Sequence, residues 1–328
     1  MAKVDRLGLY EIDVHYYMTF YLAVTSGITA EDARIMASAT QYIDDNPLTT
    51  PVNRSFPGIL LEPIRNHERL RRYHFTQWDM VDGERVWNTS TNLDDNDSQQ
   101  LRDLYSYAGG PEPGSDGESC IFMTNATRGR RLQFMGEYLH AFEDTFAHRD
   151  NNNVPIDTNL GFGHLVYMHD PDQTYDHEEC HNERRGNGGS ERVCTQWNNA
   201  ARTRRMEERT REEIQRFMSD TNYAMTQQEG RTASMSEISA TLDRFNQTQE
   251  DGDHASAKLE VLQQSLERLG YRNADGSAIR LVLLQDESSD APGPDYRGYV
   301  QGVAATNRTT HLKGVNADDY GAAILPDH

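Results

Sequence analysis

Residues 136–148 read GEYLHAFEDTFAH. The run spaces His140, Asp144 and His148 four residues apart. On an α-helix each such step turns by ~40° and climbs ~6 Å, so the three side chains leave one face. Two imidazoles and a carboxylate in a row are donors that Zn2+ takes in an open catalytic site. Leu132, Met135, Leu139, Phe142 and Phe146 recur at helical spacing, which predicts a helix over 127–148. Glu143 projects at a different angle from Asp144 and reads as a surface group. Glu137, one turn before His140, reads as a residue that holds a ligand from behind.

Working outward, residues 13–26 read as a helix with Gly27 as its C-cap. Thr29 is placed to cap a second helix over 30–43, which Asp44, Asp45, Asn46 and Pro47 end. Residues 47–66 and 83–119 are rich in turn formers and read as loops around one short helix at 99–107. An irregular stretch follows from 149 to 196. Further helices are expected over 198–220, 234–246 and 255–269, the first carrying i, i+4 charge alternation on a solvated face. After Gly270 the pattern weakens. Residues 279–284 suit a strand, and 287–298 read as a linker. The expected fold is therefore all-α: a multi-helix domain with long irregular loops over 1–270, then a weakly structured C-terminal extension over 271–328.

The chain has 328 residues and a net charge of −20, from 52 acidic and 32 basic side chains. That balance disfavours long nucleic acids, whose affinity comes mostly from basic side chains on phosphates. No apolar run is long enough for a membrane span, and the first residues lack the basic-then-apolar pattern of a secretory signal. Cytoplasmic residence and export without a cleavable signal both remain open. Of the three cysteines, Cys180 and Cys194 bracket a polar loop. A disulfide, two free thiols, or a small metal site shared with His177 and His181 would each suit them. Cys120 has no evident partner in sequence.

A catalytic zinc usually takes three protein ligands and a water, so the 140–148 helix needs help from other segments. Asp13 and His15 open the first helix, Asp44 and Asp45 close the second, and His74 sits in RRYHFTQWD. His164 precedes His169, Asp170 and Asp172. Adjacent carboxylates cannot both face one site; Asp45 is taken as the ligand and Asp44 as its supporting neighbour, although a helix end followed by Pro is also ordinary turn chemistry. His67, His254, His311 and His328 are assigned to ordinary surface or packing roles, and His177 and His181 to a loop.

Together DVHYY, QYIDD, YHF, GEYLHAFEDTFAHRD and GHLVYMHDPD resemble, over about residues 10–180, the zinc-dependent phospholipase C superfamily, which includes fungal-type single-strand zinc nucleases. The resemblance implies an all-α fold and a cluster of two or three Zn2+ ions. One site would use Asp45, His74, His140 and Asp144. A second would use His148, His164 and a following carboxylate, and a third His15, with Asp144 bridging to the first. The family's N-terminal Trp is missing, so Asp13 takes its place. Position 168, acidic in the family, is Met here, so His169, Asp170 or Asp172 must substitute, and Asp172 is taken because DPD can turn back toward the cleft.

Clustered divalent cations activate water and stabilise charge at phosphorus. The expected activity is phosphate-ester hydrolysis by a metal-bound hydroxide, with Asp45 as ligand, base or both. Neither a G-x-S-x-G elbow nor a P-loop is present. A phospholipid or small phosphate ester is the expected substrate. Tyr16, Tyr17, Phe75, Trp78, Phe162 and Tyr167 offer either cation–π contacts to a choline-type headgroup or ordinary core packing. Single-strand nuclease or nucleotidase activity on the same scaffold, and a non-enzymatic secreted effector with structural metal, are the competing readings.

Overall fold

A computed structural model describes residues 12–45, 70–109, 125–156, 170–184, 190–223, 232–249, 256–281, 285–286 and 289–292. The chain enters through a π-helical segment, Asp13–Met18, that runs directly into α1, Thr19–Ser26. Gly27 ends α1 at φ 106°, a left-handed conformation that glycine adopts without steric penalty. The Asp32 amide donates to the Thr29 hydroxyl at 3.3 Å, and α2 runs from Ala30 to Asp45. A second π-helical segment, Leu70–His74, closes with the Phe75 amide donating to the Leu70 carbonyl at 2.6 Å. The remaining helices are α3 (Gln99–Gly109), α4 (Asn125–Ala147), α5 (Asn199–Asp220), α6 (Met235–Gln247) and α7 (Ser256–Arg268). α6 starts with a capping box between Ser234 and Glu237.

The described residues are predominantly helical, as expected, but a purely all-α reading needs correction. They include three two-stranded antiparallel sheets. β1 (Trp78–Val81) pairs with β2 (Glu84–Trp87) across Asp82 and Gly83, both at positive φ (52° and 83°), the backbone that a tight two-residue hairpin requires. β3 (His177–Arg184) and β4 (Ser190–Trp197) form a hairpin inside the stretch read as irregular. Cys180 faces Cys194 in its register and is disulfide-bonded to it, which settles their pairing; His177 and His181 lie on β3 rather than in a loop. Polar residues dominate both strands because the hairpin is largely solvent-exposed, so little apolar alternation advertised it. Short β5 (Gln285–Asp286) and β6 (Ser289–Pro292) pair where a linker was expected, and residues 279–281 form no strand. Tyr271, Ile279 and Leu281, the start of the expected extension, bury in the same core as the helices.

α4 is the centre of the molecule, packing against α2, α3, α5 and the second π-helical segment. The expected stripe of Leu132, Met135, Leu139, Phe142 and Phe146 is buried. So are Tyr138, Ala141, Glu143 and Thr145 on its other faces. Gly136 sets its distance from α2. A Cβ there would press into the Met36 carbonyl and lie 2.6 Å from Ala39 Cβ. The Thr40 hydroxyl donates to the Gly136 carbonyl at 3.1 Å. One turn further along both helices, Asp44 and His140 face each other.

Candidate metal centre

Four segments deliver the site. His15 comes from the first π-helical segment, Asp44 from the last turn of α2, His74 from the second π-helical segment, and His140, Asp144 and His148 from α4 and its end. π-helical turns are rare and concentrate at functional sites. Here each of the two carries one imidazole of the cluster.

Asp144 Oδ2 lies 3.0 Å from His74 Nδ1 and 3.4 Å from His140 Nε2, and those two nitrogens are 3.1 Å apart. Asp44 Oδ1 lies 3.8 Å from His74 Nδ1 and 3.7 Å from His140 Nε2. The second oxygen of each carboxylate turns to His15 Nε2: Asp144 Oδ1 at 3.2 Å and Asp44 Oδ2 at 3.9 Å. A tetrahedral ion with arms of ~2.0–2.1 Å separates its donors by about 3.3 Å, so the spacing fits. Two ligand groups emerge, His74–His140–Asp144 and His15–Asp44–His140. The buried His and Asp side chains can therefore hold a metal ion.

Burial sharpens the case. His15, His74, His140 and Asp144 have no exposed side-chain surface, and Asp44 keeps 13 %. The Asp44 side is thus where the cluster meets solvent. Among the described residues His140 Nδ1 and Asp144 Oδ1 are buried without a hydrogen bond, an expensive state for polar atoms unless a ligand takes them. Burial drives the His140 imidazole down to about 3, so it stays neutral. Burial opposes ionisation of Asp144 too, but His148 and His140 outweigh it and hold the carboxyl well below its usual range. A neutral imidazole beside an ionised carboxylate is the protonation state in which both ligate metal.

His148 is buried, and its Nδ1 lies 2.6 Å from the His74 carbonyl, with the ring stacked on Phe75 at 4.1 Å between centroids. It thereby pins the second π-helical segment to α4. Asp44 occupies the place in the cluster expected of Asp45, whose side chain lies outside the described residues. Asp13 is paired with Lys258 Nζ at 2.5 Å and belongs to neither ligand group. Asp172 is buried in a single 3-10 turn and also belongs to neither. His164, His169, Phe162 and Tyr167 lie outside the described residues, as do His67, His254, His311, His328 and Cys120. Tyr16, Tyr17, Phe75 and Trp78 are buried. Glu137 accepts from Gln133 Nε2 at 3.1 Å.

The surface reading of Glu143 is wrong. Its side chain is fully buried, with Oε2 2.9 Å from His15 Nδ1 and Oε1 accepting from the Thr19 hydroxyl at 2.8 Å. From Phe134 to Ala147 every residue of α4 is buried, so no outward face existed for it there. The available signal was composition: Tyr138 and Ala141 lie off the Leu132–Leu139 line, and a helix apolar all round is a buried one.

Residues 10–103 match a family model described as a family of unknown function (DUF6765). That span holds His15, Asp44 and His74 but not the α4 ligands. Neither the curated proteins nor the solved structures contain a match. No helix among the described residues is long and apolar enough to cross a membrane.

Proposed function

We propose that this chain is a zinc-dependent phosphoesterase of the phospholipase C type, acting on a phospholipid or small phosphate ester. One observation carries the reading: Asp44 and Asp144 each divide their two oxygens between His15 and the His74–His140 pair. With that arrangement His15, Asp44, His74, His140 and Asp144 would hold divalent cations between them. Bound there, zinc ions would lower the pKa of a water and draw negative charge from phosphoryl oxygens.

The chain's own groups divide the remaining work. Asp144, buried and ionised, supplies fixed negative charge at the centre. His74 and His140 are donors held in place, the first through the contact of its carbonyl with His148 and the second, a neutral imidazole, by the buried middle of α4. Asp44, on the solvent side, is the group placed to take a proton from an attacking water, the role assigned to Asp45 from sequence. The net charge of −20 repels polyanions and favours a zwitterionic or small ester over a nucleic acid.

Zinc-loaded protein should release phosphocholine and diacylglycerol from phosphatidylcholine vesicles, or cleave a small aryl phosphodiester, and lose this on chelation. Faster digestion of single-stranded DNA would transfer the assignment to the nuclease branch. Zinc-loaded protein inert towards all three classes would leave a metal-stabilised, non-enzymatic domain.

A further inference from the structure

We propose that Glu143 is the positioning residue that commits His15 to metal binding through Nε2, an inference that rests on the metal-centre reading above. An imidazole has two nitrogens, and which one can ligate depends on what the other does. His15 Nδ1 lies 2.9 Å from Glu143 Oε2, while His15 Nε2 points to Asp144 Oδ1 at 3.2 Å and Asp44 Oδ2 at 3.9 Å. A carboxylate only accepts, so the Glu143 contact keeps a ring hydrogen on Nδ1 and leaves Nε2, which faces the cluster, as the nitrogen that would give its lone pair to an ion.

Glu143 is itself held. The Thr19 hydroxyl donates to Oε1 at 2.8 Å, sharing its hydrogen with the Val14 carbonyl at 3.1 Å. Thr19 and His15 are four residues apart, and the widened turn between them brings both onto Glu143. His15, Thr19 and Glu143 are all fully buried, so water does not compete for these bonds. Asp144, the next residue on α4, meets the other edge of the same ring. Two consecutive carboxylates therefore serve one imidazole: Glu143 orients it and Asp144 shares the ion with it.

The test compares wild type with Glu143→Gln, Glu143→Leu and His15→Ala. Zinc content per chain is measured at controlled free zinc, and nitrogen-15 NMR of histidine-labelled, zinc-loaded protein reads which His15 nitrogen keeps its hydrogen. Loss of an outer partner typically weakens a metal site by ~10–100-fold. Glu143→Leu should lose that much affinity at one ion only, matching the ion lost in His15→Ala. Glu143→Gln keeps an acceptor and should lose less than about tenfold. The wild-type ring should carry its hydrogen on Nδ1.

Unchanged zinc affinity in Glu143→Leu, or a wild-type ring protonated on Nε2 alone, would overturn the proposal while leaving the metal centre standing. If Glu143→Leu fails to fold, the wild-type tautomer and the Glu143→Gln affinity decide. Wild-type protein that binds no zinc would instead overturn the metal-centre reading, and this inference with it.

Discussion

Thr40 and Gly136 touch across the contact of α2 with α4: the hydroxyl of one donates to the carbonyl of the other at 3.1 Å. One helical turn on, Asp44 Oδ1 stands 3.7 Å from His140 Nε2. The candidate metal centre thus depends on a backbone approach that only glycine permits. Gly136→Ala should destabilise the fold by about 1–3 kcal/mol, the usual penalty for overpacking, and should weaken zinc binding by moving Asp44 away. Thermal unfolding and zinc titration of the same samples check both halves. A variant as stable as wild type with unchanged zinc affinity would refute the coupling.

Asp144 contacts every imidazole of the cluster, so its loss should be felt at both ligand groups. Asp144→Asn is expected to reduce zinc content to near zero. Its affinity loss should exceed the ~10–100-fold typical of an outer partner. His148→Ala leaves both ligand groups intact and should cost less. Elemental analysis of the two variants, prepared at equal free zinc, ranks them.

Metal that binds only the folded chain stabilises it by mass action, by about 4 kcal/mol at a thousandfold excess over Kd. Zinc should therefore raise the midpoint of thermal unfolding in a concentration-dependent way, and EDTA should lower it. A melting curve indifferent to both would contradict a site built from these buried groups.

Glu207 offers a pH test away from the cluster. It is fully buried on α5, accepts from Asn246 Nδ2 at 2.9 Å and Arg204 Nη1 at 3.3 Å, and burial pushes its carboxyl up to about 8. In the unfolded chain it titrates near ~4.3. Between those values the folded state binds the extra proton, so stability falls as pH rises from about 4.3 through about 8. Glu207→Gln mimics the protonated form, and its advantage over wild type should grow across that window. Melts of both proteins from pH 5 to 9 measure it.

The Cys180–Cys194 bond closes a separation of 14 residues at the edge of the molecule. Cross-links of that span contribute roughly 3 kcal/mol to what they hold together. Replacing both cysteines by serine should raise proteolytic cleavage within the 177–197 hairpin and leave zinc content unchanged. Loss of zinc in that variant would mean that the hairpin supports the centre.

The helices were legible because their signals are local: Gly27 and Thr29 as caps, the Ser234–Glu237 box, and the apolar spacing from Leu132 to Phe146. The same locality placed His140 and Asp144 on one helix, with His148 directly after its last residue. The β3–β4 hairpin escaped because an exposed polar strand pair carries little hydrophobic pattern. Asp44 against Asp45 could not be separated, since adjacent residues differ by only ~100° around a helix and just the packing of α2 on α4 says which angle faces inward. Asp13 also went to a long-range partner, Lys258, 245 residues away.

Glu143 shows the division most sharply. Its spacing from His140 and Asp144 is a property of the chain, whereas its burial is a property of everything packed around α4. Periodicity along one segment tells which side chains share a face. Whether a face meets water, a ligand or another helix is set by contacts between segments far apart in the chain, and those exist only once the elements have docked.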